Sequence, residues 1–396
     1  MFLILVYFWT FISYAPTSYI AVMVRGLGYS PSTIGILLGL FEGAGIAGPF
    51  LFGYFADKWG RYKPGLILTF AFLAIAGIPL GLFRNPLISA LFIAILGMGY
   101  RSSTPLLDAV ATISLGNTGN YGKVRAFGSI SYIIMVLFLQ YSKFLVPDTP
   151  LNIGIWFMLS GCVATLTVII IPAKYTGNGR PRAAATARGT LRLKPSLQTP
   201  QSTLSSPRKI LSPLLIMGLL IIGFNRLAMA PINGFLPLYV FEKMQWNAVG
   251  LIAALSATAE VPFMFISSKL IRRFGALPLV ALSSVAVGLR LGIYALFPLK
   301  GAIIIGQLLH SLCYGIFHPA AVAFISSSVP PERRALGLSL YLSLGSGLPT
   351  MLGNIAGGII IEHGGYRTLF ASFISFALIS VALYLFTRFH RRRNEA

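Results

Sequence analysis

The chain has 396 residues, of which 56% are hydrophobic and only 10% charged, with a mean hydropathy of +0.80. A soluble domain carries roughly 25% charged residues, so this composition excludes a water-soluble globular protein and asks for a lipid bilayer as solvent. The net charge of +22 invites a nucleic-acid partner, but the basic residues are dispersed over short loops between apolar runs, a distribution that membrane topology already explains.

A helix that crosses a bilayer takes about 20 apolar residues. Apolar runs bounded by Gly, Pro and charge predict six such helices near 2–24, 33–55, 64–83, 87–113, 124–144 and 152–172. The first run lacks a basic start and exceeds the core of a cleaved leader, so it reads as a retained helix in which neighbours rescue the backbone freed by Pro16. Residues 173–210 are polar, rich in Pro, Ser and Thr and without periodicity, which predicts a solvated linker whose basic residues can also meet anionic headgroups. Six further helices follow near 211–240, 248–268, 276–297, 301–327, 335–361 and 368–387. The expected organisation is a bundle over 1–172, a linker over 173–210 and a second bundle with a short basic tail over 211–396.

Lys58, Arg61, Lys63, Lys123, Arg125, the linker, Lys269, Arg272, Arg273, Arg333, Arg334 and the tail put most of the basic charge on one side. Arg25, Arg84, Lys143, Lys243, Lys300 and Arg367 fall on the other. The positive-inside rule then places both termini in the cytoplasm. Cys162 and Cys313 are far apart in sequence and read as small apolar fillers.

The two halves repeat one another. "YSPSTIGILL" and "QWNAVGLIAA" align on Gly35 and Gly250, and the same offset carries Gly60 onto Gly275. "YRSSTP" faces "YGIFHP", and "VRAFGSISY" faces "RRALGLSLY". Two similar six-helix bundles around a midplane cavity are a transporter architecture, in which one half rocks against the other.

"GYFADKWGRYKP", residues 53–64, resembles the signature between the second and third helices of the major facilitator superfamily. The resemblance implies an all-α fold of about twelve transmembrane helices in two pseudo-symmetric six-helix bundles. It also implies that Asp57 and Arg61 form a cytoplasmic latch; the counterpart "SSKLIRRFG" keeps the basic residues and lacks the Asp. "TPLLDA", "YGKVRAFGSI", "AEVPFMF", "LRLGIY", "QLLHSLCYGIFHPA" and "RALGLSLYLSLGSGLPTMLG" make the chain similar to the group holding lactose permease, phenylpropionate permease and nucleoside-proton symporters. Lactose permease carries acidic and basic residues on its eighth, ninth and tenth helices, where Glu260, Arg290 and His310 stand here. That permease has a further carboxylate one turn after its tenth-helix His; this chain reads "SLCYG" there, so its proton scheme is not copied intact. A bacterial inner membrane follows from the resemblance alone.

A charge at the centre of a membrane helix costs roughly 2.5–3.5 kcal/mol on the insertion scale, so each needs a partner or a wet cavity. The predicted spans hold Glu42, Asp108, Glu260, Arg101, Arg226, Arg290, His310 and His318. At Glu260, desolvation favours the neutral acid and a neighbouring arginine favours the carboxylate. Those opposed influences make a proton switch tuned by Arg290 and His310; the alternative is a static ion pair that fixes helix packing. Arg101 and Asp108 share a helix face two turns apart, either to bind solute or to pair with neighbouring helices. Glu42 sits at nearly the depth of Glu260 by the repeat, as a second proton site or an ordinary hydrogen-bonded carboxylate. Asn225 and Arg226 lie on a seventh helix that Pro231 and Gly234 interrupt, where a bend can expose backbone to solute, or where the proline makes a packing kink beside an interfacial Arg.

His310 and His318 are eight residues apart, too far for the i, i+4 spacing of a helical metal site, and no metal or cofactor other than the coupling proton is expected. Tyr14, Tyr100 and Tyr314 fall near mid-helix and can stack on a ring or simply pack. No nucleotide-binding loop and no nucleophile–base pattern appears, which argues against an ATP-driven pump and against an enzyme. The sequence therefore predicts a monomeric proton-coupled symporter for a sugar, nucleoside or aromatic acid. Asp108, Arg101, Glu42, Asn225, Arg226 and His318 are the candidate solute-binding residues. An uncoupled facilitator, an exporter of drugs or lipids and a transporter-derived sensor share the same architecture.

Overall fold

The computed structural model describes residues 2–115, 121–172, 212–330 and 333–395, so the expected linker lies outside the described residues. Six helical passages form the first half: α1 (Phe2–Gly26), α2 (Pro31–Trp59), α3 (Lys63–Leu82), α4 (Pro86–Leu115), α5 (Tyr121–Tyr141) and α6 (Pro150–Ile170). The second half repeats them as α7 (Pro213–Lys243), α8 (Val249–Phe274), α9 (Ala276–Leu296), α10 (Lys300–Ser328), α11 (334–364) and α12 (366–395). Among the described residues, nine helical stretches are long and apolar enough to span a bilayer, ten when the two segments of α8 count as one. One of the nine, Leu336–His390, holds both α11 and α12, and α5 contributes the shorter apolar stretch Phe127–Tyr141.

Local chemistry sets the ends. Pro31, Pro150 and Pro213 stand at the first helical position, where the missing N–H costs nothing, behind the capping hydroxyls of Ser30, Thr149 and Ser212. Gly60 closes α2 with φ 60°, Gly275 follows α8 with φ 86°, and Gly365 separates α11 from α12 with φ 72°. Only glycine takes that region freely, so the aligned pair Gly60 and Gly275 does the same work in both halves. Lys63 donates to the last carbonyls of α6, Ile169 O and Ile171 O, each at 2.7 Å. It is therefore a C-terminal cap as well as a loop charge.

Two irregularities matter for the site. Around Pro16, Ala15–Tyr19 tightens into a 3-10 turn within α1. In α10 a wide π turn, Ser311–Ile316, lies between His310 and His318, an irregularity common near functional residues. The expected interruption of α7 is absent: Pro213–Leu238 is continuous α-helix through Pro231 and Gly234 and widens only over Tyr239–Lys243.

Each half crosses the bilayer an even number of times, so Phe2, Ile170, Pro213 and Glu395 end on one side, the terminus side. The two halves are joined on the far side by Arg25–Glu242, Ser32–Glu362, Gln140 with Asn247 and Gly250, and Asn354–Leu38. Helix α2 lies against α11 and α5 against α8.

Candidate functional site

Between the halves is a cavity of about 340 Å³, within the size range of small-molecule sites. Glu42, Tyr100, Arg101 and Tyr132 line its first-half wall; Ser256, Glu260, Arg290, Gln307, His310 and Tyr314 line the second.

On the first wall, Arg101 of α4 pairs with Glu42 of α2 through Nη2, which reaches Oε2 at 2.6 Å and also Oε1. Gly45, one turn after Glu42, makes this possible, because a Cβ there would collide with the Arg101 stem. The Arg101 side chain is 42% accessible and its guanidinium lies over the Tyr100 ring at 5.4 Å. It faces water within the cavity rather than reaching for the interface.

The second wall is a chain of three groups. His310 Nε2 lies 2.7 Å from Glu260 Oε1, and Arg290 Nη1 lies 2.8 Å from His310 Nδ1. Arginine only donates, so Nδ1 is the acceptor, and the ring proton sits on Nε2 and is donated to the Glu260 carboxylate. Arg290 is completely buried; its Nη2 donates to Gln307 Oε1 and, at 3.3 Å, to the Tyr294 hydroxyl. Gln307 is itself held by Ile252 O at 3.0 Å. Gly306 leaves room for the Tyr294 hydroxyl, which a Cβ would strike. The sequence brings Glu260, His310 and Arg290 to one network, and the structure adds Gln307 and Tyr294, which carry no charge and so gave no sequence signal. In this conformation Arg290 meets Glu260 through His310.

Other predicted residues sit elsewhere. Asp108 is outside the cavity lining: Arg125 Nη1 lies 2.8 Å from Oδ2, and Tyr7 donates to Oδ1 at 2.7 Å. Arg125, counted in the sequence among the basic residues of one side, is thus the partner of Asp108. Asn225 and Arg226 are buried inside the second half, away from the cavity lining. Asn225 Nδ2 donates to Ser284 at 2.9 Å, and Arg226 donates to Cys313 O at 3.2 Å while lying 3.9 Å over the Phe317 ring. Because α7 is unbroken there, no bend turns them toward solute. His318 also leaves the lining; its Nδ1 is 3.0 Å from the Tyr341 hydroxyl. Its ring continues a parallel ladder from His310 through Tyr314, with centroids 5.9 and 5.8 Å apart. Tyr100 and Tyr314 reach the cavity, whereas Tyr14 is buried on Ser103 and Thr104. The Asp57 side chain lies outside the described residues, and Arg61 is exposed just past α2.

A family model, MFS_1 like family, matches residues 1–372. The chain belongs to that family. It is 24% identical over 362 residues to the maltose permease of Geobacillus stearothermophilus, covering 90% of this chain and 86% of the permease. It is likewise 24% identical over 374 residues to a probable 3-phenylpropionic acid transporter of Escherichia coli (strain K12), covering 91% and 90%. The crystal structure of the nucleoside transporter NupG superposes with a TM-score of 0.74 at 19% identity, covering 97% of this chain and 96% of that one. This MFS protein is accordingly a multi-pass membrane transporter and not an enzyme. Its relatives carry small molecules.

Proposed function

We propose that this MFS protein is a proton-coupled symporter that takes up a small, neutral, ring-bearing and hydroxylated solute by alternating access. The reading rests above all on the Glu260–His310–Arg290 chain in the cavity wall. An ionised Glu260 only accepts hydrogen bonds, and a protonated one also donates. A solute hydroxyl therefore meets a different partner in each state, and that difference in affinity is what couples solute to proton. Arg290 holds Nδ1 as an acceptor, so the imidazole takes no second proton while that bond lasts, and the proton goes to the carboxylate.

The charge pattern favours a neutral solute. Arg101 is matched by Glu42, and Arg290 donates into the chain that ends at Glu260. A carboxylate solute would have to break one of these pairs. Tyr100, Tyr314 and Phe41 supply ring surfaces, and Asn354 brings a buried Oδ1 without a hydrogen-bond partner to the cavity wall. A disaccharide or nucleoside, as in the names of the maltose permease and NupG, suits this lining. In this reading both termini are cytoplasmic in an inner membrane, the structure is open toward the cytoplasm, and Asp57 with Arg61 latches the cytoplasmic side when the halves rock. Glu260→Gln, a permanently neutral amide, is expected to lose gradient-driven accumulation and keep solute exchange in proteoliposomes. Accumulation equal to the parent's rules out Glu260 as the carrier.

A further inference from the structure

We infer that the far-side gate is built from reciprocal helix capping, each half supplying the side chain that caps a helix of the other. The first amide N–H groups of any α-helix lack intrahelical partners. At the start of α8 the cap position is Ala248, which has no side-chain acceptor. Gln140, at the end of α5 in the other half, fills the place: its Oε1 accepts from Gly250 N at 2.9 Å and Leu251 N at 3.4 Å. Its Nε2 donates to Asn247 O at 2.7 Å. At the start of α2, Pro31 has no N–H, and Ser30 Oγ takes Thr33 N at 3.4 Å. The Ser32 N–H goes to Glu362 Oε2 at 2.9 Å, from the far end of α11.

The two caps occupy equivalent places, because the repeat sets α2 against α8 and α5 against α11. Both crossings are also tight. A Cβ on Gly250 would strike Val136 O, and one on Gly35 would lie 2.6 Å from Asn354 O and 2.9 Å from Gly358 Cα. Gly35 and Gly250 are the residues that align between the halves. The glycines let the helices touch, and contact brings each cap within reach.

The caps exist only while the halves are together at this end; parting returns the amides to water. One cap is neutral, and the other is a carboxylate placed where the helix dipole favours it. Neither Gln140 nor Glu362 lines the cavity. They are therefore positioning residues that weight closed against open on the far side without touching solute. This inference rests on the alternating-access reading.

The test is a spin-label distance between Lys143→Cys and Lys243→Cys, at two exposed far-side positions, with Cys162→Ala and Cys313→Ala as background, in the full reconstituted chain. Gln140→Leu and Glu362→Ala should each raise the open-to-closed ratio, Gln140→Leu by more because it removes three hydrogen bonds, and the pair multiplicatively. Glu362→Gln keeps an acceptor but loses the charge and should fall between the parent and Glu362→Ala. Thr149→Ala removes a cap within one half, the acceptor for Asn152 N at 3.3 Å, and should leave the ratio unchanged. Should Gln140→Leu not fold, Glu362→Ala at its exposed site carries the test. Gly35→Trp serves as the steric opener. An opener that works beside unchanged cap variants overturns the capping and leaves alternating access standing. An opener that changes nothing overturns alternating access itself.

Discussion

Glu260 and Arg290 are joined by His310, whose two nitrogens face a carboxylate on one side and a guanidinium on the other. Glutamine reproduces that pattern, with an amide N–H for Glu260 and an amide oxygen for Arg290, but does not titrate. His310→Gln should therefore keep solute binding and a measurable part of proton-coupled uptake; loss of coupling with intact binding would make the imidazole the carrier. Arg290 is more demanding, because its fork serves His310, Gln307 and Tyr294 at once in a fully buried site. A lysine ammonium is a point charge that cannot span the three. Arg290→Lys should lower uptake by about tenfold or more, the scale of losing one hydrogen bond made by a charged group. Uptake rates at saturating solute check this, with uptake near the parent's contradicting it.

At the scale of elements, the aligned glycines carry the largest steric commitment. Gly35 faces backbone atoms of α11, which cannot swing aside as a side chain can. Gly35→Trp should hold the far side open, abolish uptake and raise thiol labelling of a cysteine placed at Ser256 on the cavity wall; unchanged labelling would contradict the close approach. The sequence foretold these elements well because apolar runs and Gly/Pro breaks record where lipid begins and ends. The repeat likewise pointed to Gly35, Gly250, Gly60 and Gly275 before any coordinates. It did not tell which charges would pair. Arg101 and Asp108 share a helix face, yet one turns to Glu42 and the other to Arg125 and Tyr7. Such pairings depend on helix neighbours and rotation, which periodicity leaves open. Pro231 misled for a related reason: a proline in a membrane helix is accommodated where neighbours satisfy the freed carbonyl. Gln140 gave no signal, since its partner is a bare backbone in the other half.

For the whole molecule, the charges sort into pairs within each half, while the contacts that join the halves gather at one end. In the proposed alternating access, that division would let a half move as a body around the cavity without separating the ion pairs inside it, which would be costly in low dielectric. The ion pair Arg25–Glu242, reinforced by Tyr366 at 2.9 Å, joins the halves at the far-side rim. In the proposed alternating access it would break at this rim, where water can replace it. The central claim is that solute and proton move together through Glu260. The most direct test is the pH change triggered by solute in proteoliposomes of the purified chain, with a disaccharide, a nucleoside and an aromatic acid run beside Glu260→Gln. The account predicts proton movement with a neutral hydroxylated solute and none in the variant. Solute flux without proton movement, or proton movement undiminished in Glu260→Gln, would contradict it.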